Sequence, residues 1–175
     1  MAKANLKTQL PFFKKVLLFK DLFDEQILEL IGIMKSRTFA EGELLAREEA
    51  REDWLFILLK GEVEISKRLL LPLWQDESQQ QEKSLVRLSE KDFAFFGEMA
   101  LFEDFPERSA SIKALIPCTA AVIEKLSLIN ILREKPELGT IIYRNMATVL
   151  TRRLVKANRD MLKLTTAFSL ALEGE

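Results

Sequence analysis

The sequence predicts an α+β protein in which an antiparallel β barrel or sandwich sits between N-terminal helices and one long C-terminal helix. Three observations predict it. Between residues 10 and 34 apolar side chains recur at helical spacing. From residue 54 to 125, short apolar or alternating runs are separated by glycine, proline and polar turn signals. From residue 143 to 171, apolar residues recur at intervals of four and three.

Residues 1–35 form the expected N-terminal helical segment. Phe13, Val16, Leu17, Phe19, Leu22 and Phe23 make one apolar face; Ile27, Leu28, Leu30 and Ile31 make a second, with Asp24 placed as a cap between them. After Met34 the texture changes. Glu41-Gly42 reads as a turn. Residues 54–59, WLFILL, are the short continuous apolar run of a fully buried strand. Lys60-Gly61 is a second turn, and residues 62–66, EVEIS, alternate with period two, so 54–66 is expected to be a hairpin. Residues 74–84, WQDESQQQEKS, read as a solvated loop or hairpin tip. Strands resume at 85–88, 109–116 and 119–125, with Pro117 between the last two. The β region therefore spans 36–126.

Residues 127–175 complete the chain with helices. Pro136 suits a first helical turn. Tyr143, Ala147, Leu150, Leu154, Ala157, Met161, Leu164, Phe168 and Ala171 form a sustained heptad seam. Leu138, Ile142, Met146 and Val149 form a second apolar set that can dock the front half on the strands. A helix over 137–172 would be about 54 Å long at 1.5 Å per residue, too long for one small barrel to cover. The seam is therefore expected to make a homodimer rather than to pack on its own chain.

Composition narrows the function. The 175 residues are 48% hydrophobic and 30% charged, which fits one globular domain. Twenty-six Lys plus Arg against 27 Asp plus Glu give a net charge of −1, which argues against a strongly basic polyanion binder. The chain has no histidine, which removes Ser-His-Asp and Cys-His catalysis and His-ligated zinc. Its single cysteine, Cys118, permits no intrachain disulfide. No signal peptide or membrane span is visible, so the expected location is the cytoplasm. Acidic pairs such as Glu48-Glu49 and Glu103-Asp104 have no partner nucleophile and read as solvated surface, so the chain is not expected to be an enzyme.

Residues 93–112, FAFFGEMALFEDFPERSASI, carry the most chemistry. Gly97 allows close backbone approach. Residues 98–102 suit a single helical turn with free N–H groups. Arg108, ten residues after Glu98, has the planar fork that grips a phosphate, and Ser109 adds a hydroxyl. Such a set can hold a small anion that also carries a hydroxyl. On spacing alone, a surface loop with a Glu98–Arg108 ion pair is the favoured account.

Gly97-Glu98-Met99-Ala100-Leu101, followed by Arg108-Ser109-Ala110, resembles the phosphate-binding cassette of the cyclic nucleotide-binding domain family, most nearly that of bacterial cyclic-AMP receptor-type regulators. The resemblance covers about residues 10–160. It implies a β jelly roll with the cassette between two late strands, then a short helix and a long dimer-forming helix. It also implies cyclic AMP or cyclic GMP as ligand and no cofactor. Arg108 would pair with the cyclic phosphate, completed by Ser109 and backbone N–H groups beside Ala110. Glu98 would accept the ribose 2′-OH, and Gly97 and Met99 would line the sugar side. On the long helix, Ala157 and Asn158 match the family's base-reading positions, and Arg153 is a candidate to reach the ligand. Four features depart from the pattern, one of them a Leu71–Ser84 loop that is longer than usual. Glu49-Ala50 stands where a glycine-aspartate turn is usual, Lys91 stands where a glycine is usual, and Ala94 and Phe95 are two extra residues before the cassette.

The resulting expectation is a cyclic nucleotide-binding sensor, cyclic AMP ahead of cyclic GMP, signalling through its C-terminal helix to an unknown downstream protein. The alternative is a degenerate member that serves as a ligand-independent dimerisation scaffold. Residues 165–175 are too few for a helix-turn-helix domain, so no direct DNA binding is expected. Arg144, Arg152, Arg153, Lys156, Arg159 and Lys163 are read as flanks of the seam.

Overall fold

Helices at both chain ends clasp one face of a two-sheet β sandwich in the computed structural model, which describes residues 6–68, 82–102 and 107–173. At the N-terminus a 3-10 turn, Leu6–Gln9, leads into α1, Leu10–Phe13. A second 3-10 turn, Leu17–Phe19, precedes α2, Asp24–Gly32. Asp24 is the first residue of α2 rather than its cap; the cap is Phe23, whose N–H donates to Gln26 Oε1 at 2.9 Å. Asp24 instead pairs with Lys14 at 2.7 Å, an acid in the first turn where the helix dipole favours it.

Among the described residues eight strands follow: β1, Lys35–Phe39; β2, Leu44–Ala46; β3, Trp54–Lys60; β4, Glu62–Arg68; β5, Glu82–Ser89; β6, Phe95–Phe96; β7, Ser111–Ala114; and β8, Cys118–Glu124. They form two four-stranded antiparallel sheets, β1-β8-β3-β6 and β2-β7-β4-β5. This is the expected jelly roll. The centre of the first sheet, β8 and β3, is buried on both faces, whereas edge strand β1 is mostly exposed. Phe56 and Leu58, with Phe96 and Val122 of the same sheet, point at the opposite sheet, where they cluster with Val63, Ile112 and Ala114; Leu55, Ile57 and Leu59 point at the helices. Double burial explains why β3 reads as an unbroken apolar run.

The expected hairpin over 54–66 does not form. β3 pairs with β6 and β8, whereas β4 pairs with β5 and β7, so the chain crosses between sheets at Gly61. Gly61 has φ +99, and a Cβ there would lie 2.5 Å from Cys118 Cβ. Only glycine admits that crossing. Of the polar stretch 74–84, residues 82–84 open β5, and 74–81 lie outside the described residues, as do Glu103 and Asp104.

α3, Lys125–Glu134, is followed by α4, Pro136–Glu173, a helix of 38 residues. Leu138, Ile142 and Met146 are buried against the N-terminal helices and the sheet. Asn145 secures the same junction by donating to the carbonyls of Leu18 at 3.0 Å and Lys20 at 2.8 Å. From residue 151 to 172 every residue of α4 is exposed. The second half of the seam therefore does not pack on its own chain: Leu154 is 61% exposed and Phe168 is 66% exposed.

Candidate functional site

The site begins where β6 ends. Phe96 stacks on Phe56 with ring centroids 5.5 Å apart, which fixes the last residue before the turn. Gly97 then takes φ +85 and starts a 3-10 turn, Glu98–Leu101. A Cβ at Gly97 would meet Arg108 Nη1 at 2.5 Å and the Trp54 carbonyl at 2.7 Å, so glycine is required for two reasons at once.

Arg108 arrives from the other side. Its backbone is tied to the β2–β3 connection: Glu49 N–H donates to the Arg108 carbonyl at 2.8 Å, and Arg108 N–H donates to the Ala50 carbonyl at 3.0 Å. Glu49 there adopts φ 64, so the turn usually made by glycine-aspartate keeps a left-handed residue without the glycine. At the other departure, Lys91 lies in a 3-10 turn, Glu90–Asp92, and the positive φ falls on Phe93. Ala94 and Phe95 are absorbed by sheet pairing, Phe95 opposite Ile57.

The Arg108 side chain is only 4% exposed. Nη2 donates to the Trp54 carbonyl at 2.6 Å, Nη1 to the Gly97 carbonyl at 3.4 Å, and the guanidinium lies 5.4 Å from the Phe56 ring centroid. Nε is 3.8 Å from Glu52 and has no hydrogen-bond partner. Burial lowers the pKa of this group, opposed by the charges of Glu52, Asp53 and Glu98.

Glu98 is buried too, and its Oε1 accepts from Arg153 Nη1 of α4. Arg153 Nη2 donates to the Phe95 carbonyl at 2.8 Å, and its guanidinium lies 5.9 Å from the Phe95 ring centroid. Glu98 Oε2 has no partner. Such orphaned polar atoms are uncommon in interiors. Here two belong to residues on one cavity of about 600 Å³.

The cavity is walled by Gly97, Glu98, Met99, Arg108, Ser109 and Ala110 at one end. Ser109 is exposed, its Oγ 3.7 Å from Met99 Sδ. Ile65, Val86 and Leu88 of β4 and β5 supply an apolar side. A basic side chain for a phosphate, a carboxylate for a hydroxyl and an apolar wall for a flat ring are the three chemistries of a nucleotide. Residues 36–135 match the family described as the cyclic nucleotide-binding domain. The chain belongs to that family.

This cyclic nucleotide-binding domain is 33% identical over 65% of its length to the cAMP-activated global transcriptional regulator CRP of Pasteurella multocida, of which it spans 48%. It is 31% identical over 53% of its length to a cGMP-dependent protein kinase, isozyme 2, of Drosophila melanogaster, of which it spans 9%. Among solved structures, a cyclic nucleotide-binding domain from Methylobacillus flagellatus superimposes with TM-score 0.74 at 23% identity, covering 90% of this chain and 84% of that one.

Of the residues singled out from sequence, Gly97, Glu98, Met99, Arg108, Ser109, Ala110 and Arg153 all line the cavity of this domain. Asn158 does not: it is exposed and absent from the walls. Arg153, Lys156, Ala157 and Asp160 face the cavity at helical intervals, whereas Asn158, five residues after Arg153, is turned about 140° away. Lys67, Lys156 and Asp160 are lining residues that the sequence reading did not assign to the site. For Lys156 and Asp160, the three- and seven-residue spacing from Arg153 is the signal that finds them. In the ring and carboxylate chemistry of this domain, the described residues hold no cluster of His, Cys, Asp or Glu fit for a metal. No described helix is long and apolar enough to cross a membrane.

Proposed function

We propose that this chain is a sensor module that binds a cyclic purine mononucleotide, cyclic AMP ahead of cyclic GMP, and passes occupancy to a downstream protein through α4 as a homodimer. The observation that carries the reading is the pair of orphaned polar atoms, Arg108 Nε and Glu98 Oε2, on residues that share one cavity. A 3′,5′-cyclic nucleotide gives both a partner: its single phosphate charge answers the guanidinium, and its free ribose 2′-OH donates to the carboxylate. Ser109 and the backbone N–H groups near Ala110 complete the phosphate contacts, with Gly97 and Met99 on the sugar side. The purine rests on Ile65, Val86 and Leu88. Cyclic AMP is placed first because the relative named for that nucleotide matches a larger share of both chains.

Binding rather than catalysis fits the arrangement, because Glu98 is already held by Arg153 and no histidine exists in the chain. Signalling follows from the same pair. Arg153 belongs to α4, so a ligand that takes up Glu98 acts on the helix directly and shifts a two-state equilibrium between helix positions. The exposed seam from Leu154 to Ala171 supports the homodimer, and Asn158 is left to that interface. Direct DNA binding by this chain is not part of the proposal, and its place of action is the cytoplasm.

Calorimetric titration with cyclic AMP and cyclic GMP, run beside Arg108→Ala, tests this. Saturable heat in the parent chain that disappears in the variant is expected. No heat with either nucleotide, together with an unmoved melting temperature, replaces the reading with that of a ligand-free dimerisation scaffold.

A further inference from the structure

α4 presents three faces beyond residue 150. One faces the cavity, one carries the seam, and a third shares only Lys156 and Asp160 with the cavity. A residue two positions from a seam residue lies about 200° around the helix from it. Arg152 and Lys156 stand so on either side of Leu154; Arg159 and Lys163 stand so on either side of Met161. These four cations therefore line the side away from the seam, not its flanks, which corrects the sequence reading. Val155 and Leu162 lie along one edge of the row, 43% and 67% exposed, and a shallow groove lined by the four cations and Val155 runs beside them.

The charge of this face is unanswered. Elsewhere in the helices, Arg144 pairs with Asp21, Lys135 with Glu29 and Arg153 with Glu98. Lys163 reaches only Asp160, at 3.4 Å, and among the described residues Arg152, Lys156 and Arg159 meet no carboxylate. Between residues 151 and 163 five cations accompany one anion, in a chain whose net charge is −1. Like charges at four-residue spacing, as in Arg152 with Lys156 and Arg159 with Lys163, destabilise a helix, and the seam does not require them.

We propose that this face docks an acidic, leucine-bearing helical segment of a partner protein, with carboxylates against Arg152, Lys156, Arg159 and Lys163 and apolar side chains on Val155 and Leu162. Val155 and Leu162 are seven residues apart, about 10.5 Å along the axis, the spacing at which a partner helix repeats its own apolar residues. A nucleic-acid backbone would set phosphates against those two side chains. A lipid surface would take up the larger apolar face, the seam, and turn the cations away from its head groups. Lys156 and Asp160 line both this groove and the nucleotide cavity, so ligand occupancy reaches the strip through two shared side chains. That coupling rests on the nucleotide reading; the docking itself does not.

The test is fluorescence anisotropy of a labelled 18-residue helical peptide with glutamates four residues apart and leucines seven apart. The same peptide with lysine for glutamate, a 20-base-pair DNA duplex and phosphatidylglycerol vesicles are run beside it. The acidic peptide is expected to bind the dimer and the lysine peptide not to. The double variant Arg152→Glu, Arg159→Glu, which leaves the cavity and seam untouched, should bind the acidic peptide at least tenfold more weakly. It should gain the lysine peptide and keep the parent cyclic AMP titration and dimer mass. No binding of the acidic peptide, equal binding by the variant, or tighter binding of DNA or vesicles overturns the proposal. Arg108→Ala separates the two readings: it should bind the peptide as the parent does, while cyclic AMP changes peptide affinity only in the parent. A parent affinity unmoved by saturating cyclic AMP overturns the coupling.

Discussion

Glu98 of the cassette and Arg153 of α4 are ion-paired across the boundary between the barrel and the long helix, and the pair leaves one carboxylate oxygen buried without a partner. On the proposed reading, the second oxygen accepts from the ribose 2′-hydroxyl. The parent chain is expected to bind cyclic AMP more tightly than 2′-deoxy cyclic AMP by roughly tenfold or more, since a hydrogen bond to a charged group contributes about 1.5–3 kcal/mol. Glu98→Ala, which leaves no acceptor, should bring the two ligands to within about twofold of each other. Paired titrations of parent and variant measure that ratio. A parent chain that binds both ligands equally removes Glu98 from the sugar site.

Gly97→Ala should damage both fold and site. The left-handed conformation alone costs a residue with a Cβ about 1–2 kcal/mol. The new methyl also meets Arg108 Nη1 and the Trp54 carbonyl, and the Trp54 carbonyl is fixed in β3. Arg108 is the group that must move. A lowered melting temperature together with weaker cyclic AMP binding is expected. Unchanged binding would show that the Arg108 position seen here is not the one that meets the ligand.

The fold was legible where periodicity is local, and less so where pairing is distant. The helical spacing of the N-terminal segment, the apolar run of β3 and the seam of α4 each announce one element. The turn at Lys60-Gly61 is equally plain, but the sequence does not say which sheet each neighbouring strand joins; β3, apolar on both faces, carries no alternation to decide it. In the site, cassette residues 97–99 and 108–110 were legible because they form two short runs. Arg153 was legible only as a candidate to reach the ligand; its pairing with Glu98 was not, because the two are 55 residues apart in sequence. Asn158 lies off the cavity wall, which a resemblance does not foresee, because it aligns positions along a helix without fixing the direction each one faces.

Cys118 offers a probe of barrel opening. It is 3% exposed beneath the Gly61 crossing, and burial first, then the charge of Glu43, raises its thiol pKa. The thiolate, not the thiol, reacts. The native chain should resist a disulfide reagent at pH 8 that labels the urea-unfolded chain at once. A raised folded pKa means that the unfolded chain gives up its proton first as pH climbs. The stability tied to Cys118 is therefore full below the unfolded thiol's pKa and is lost above it. Urea melts at pH 8 and pH 10 should show a larger loss for the parent than for Cys118→Ala, and equal losses would place the thiol in solvent.

The seam divides α4 into a half that the barrel needs and a half that it does not. Leu138, Ile142 and Met146 are buried, and Asn145 donates to two carbonyls of the N-terminal segment, so the front half is part of the core. Leu154 touches no core, at 61% exposure, yet it occupies the middle of a repeat that runs on to Ala171. Leu154→Asp should therefore leave the monomer's melting transition within about 0.5 kcal/mol of the parent, as exposed substitutions usually do. The same change places a charge in the centre of an apolar helix pair, where charges are depleted for want of solvation. Sedimentation equilibrium should find the parent as a dimer and the variant as a monomer. Isoleucine at the same position, which keeps the seam apolar, should remain dimeric. A dimer that survives the aspartate would mean that the two copies meet elsewhere, and that the exposed half of α4 is held in reserve for a different protein.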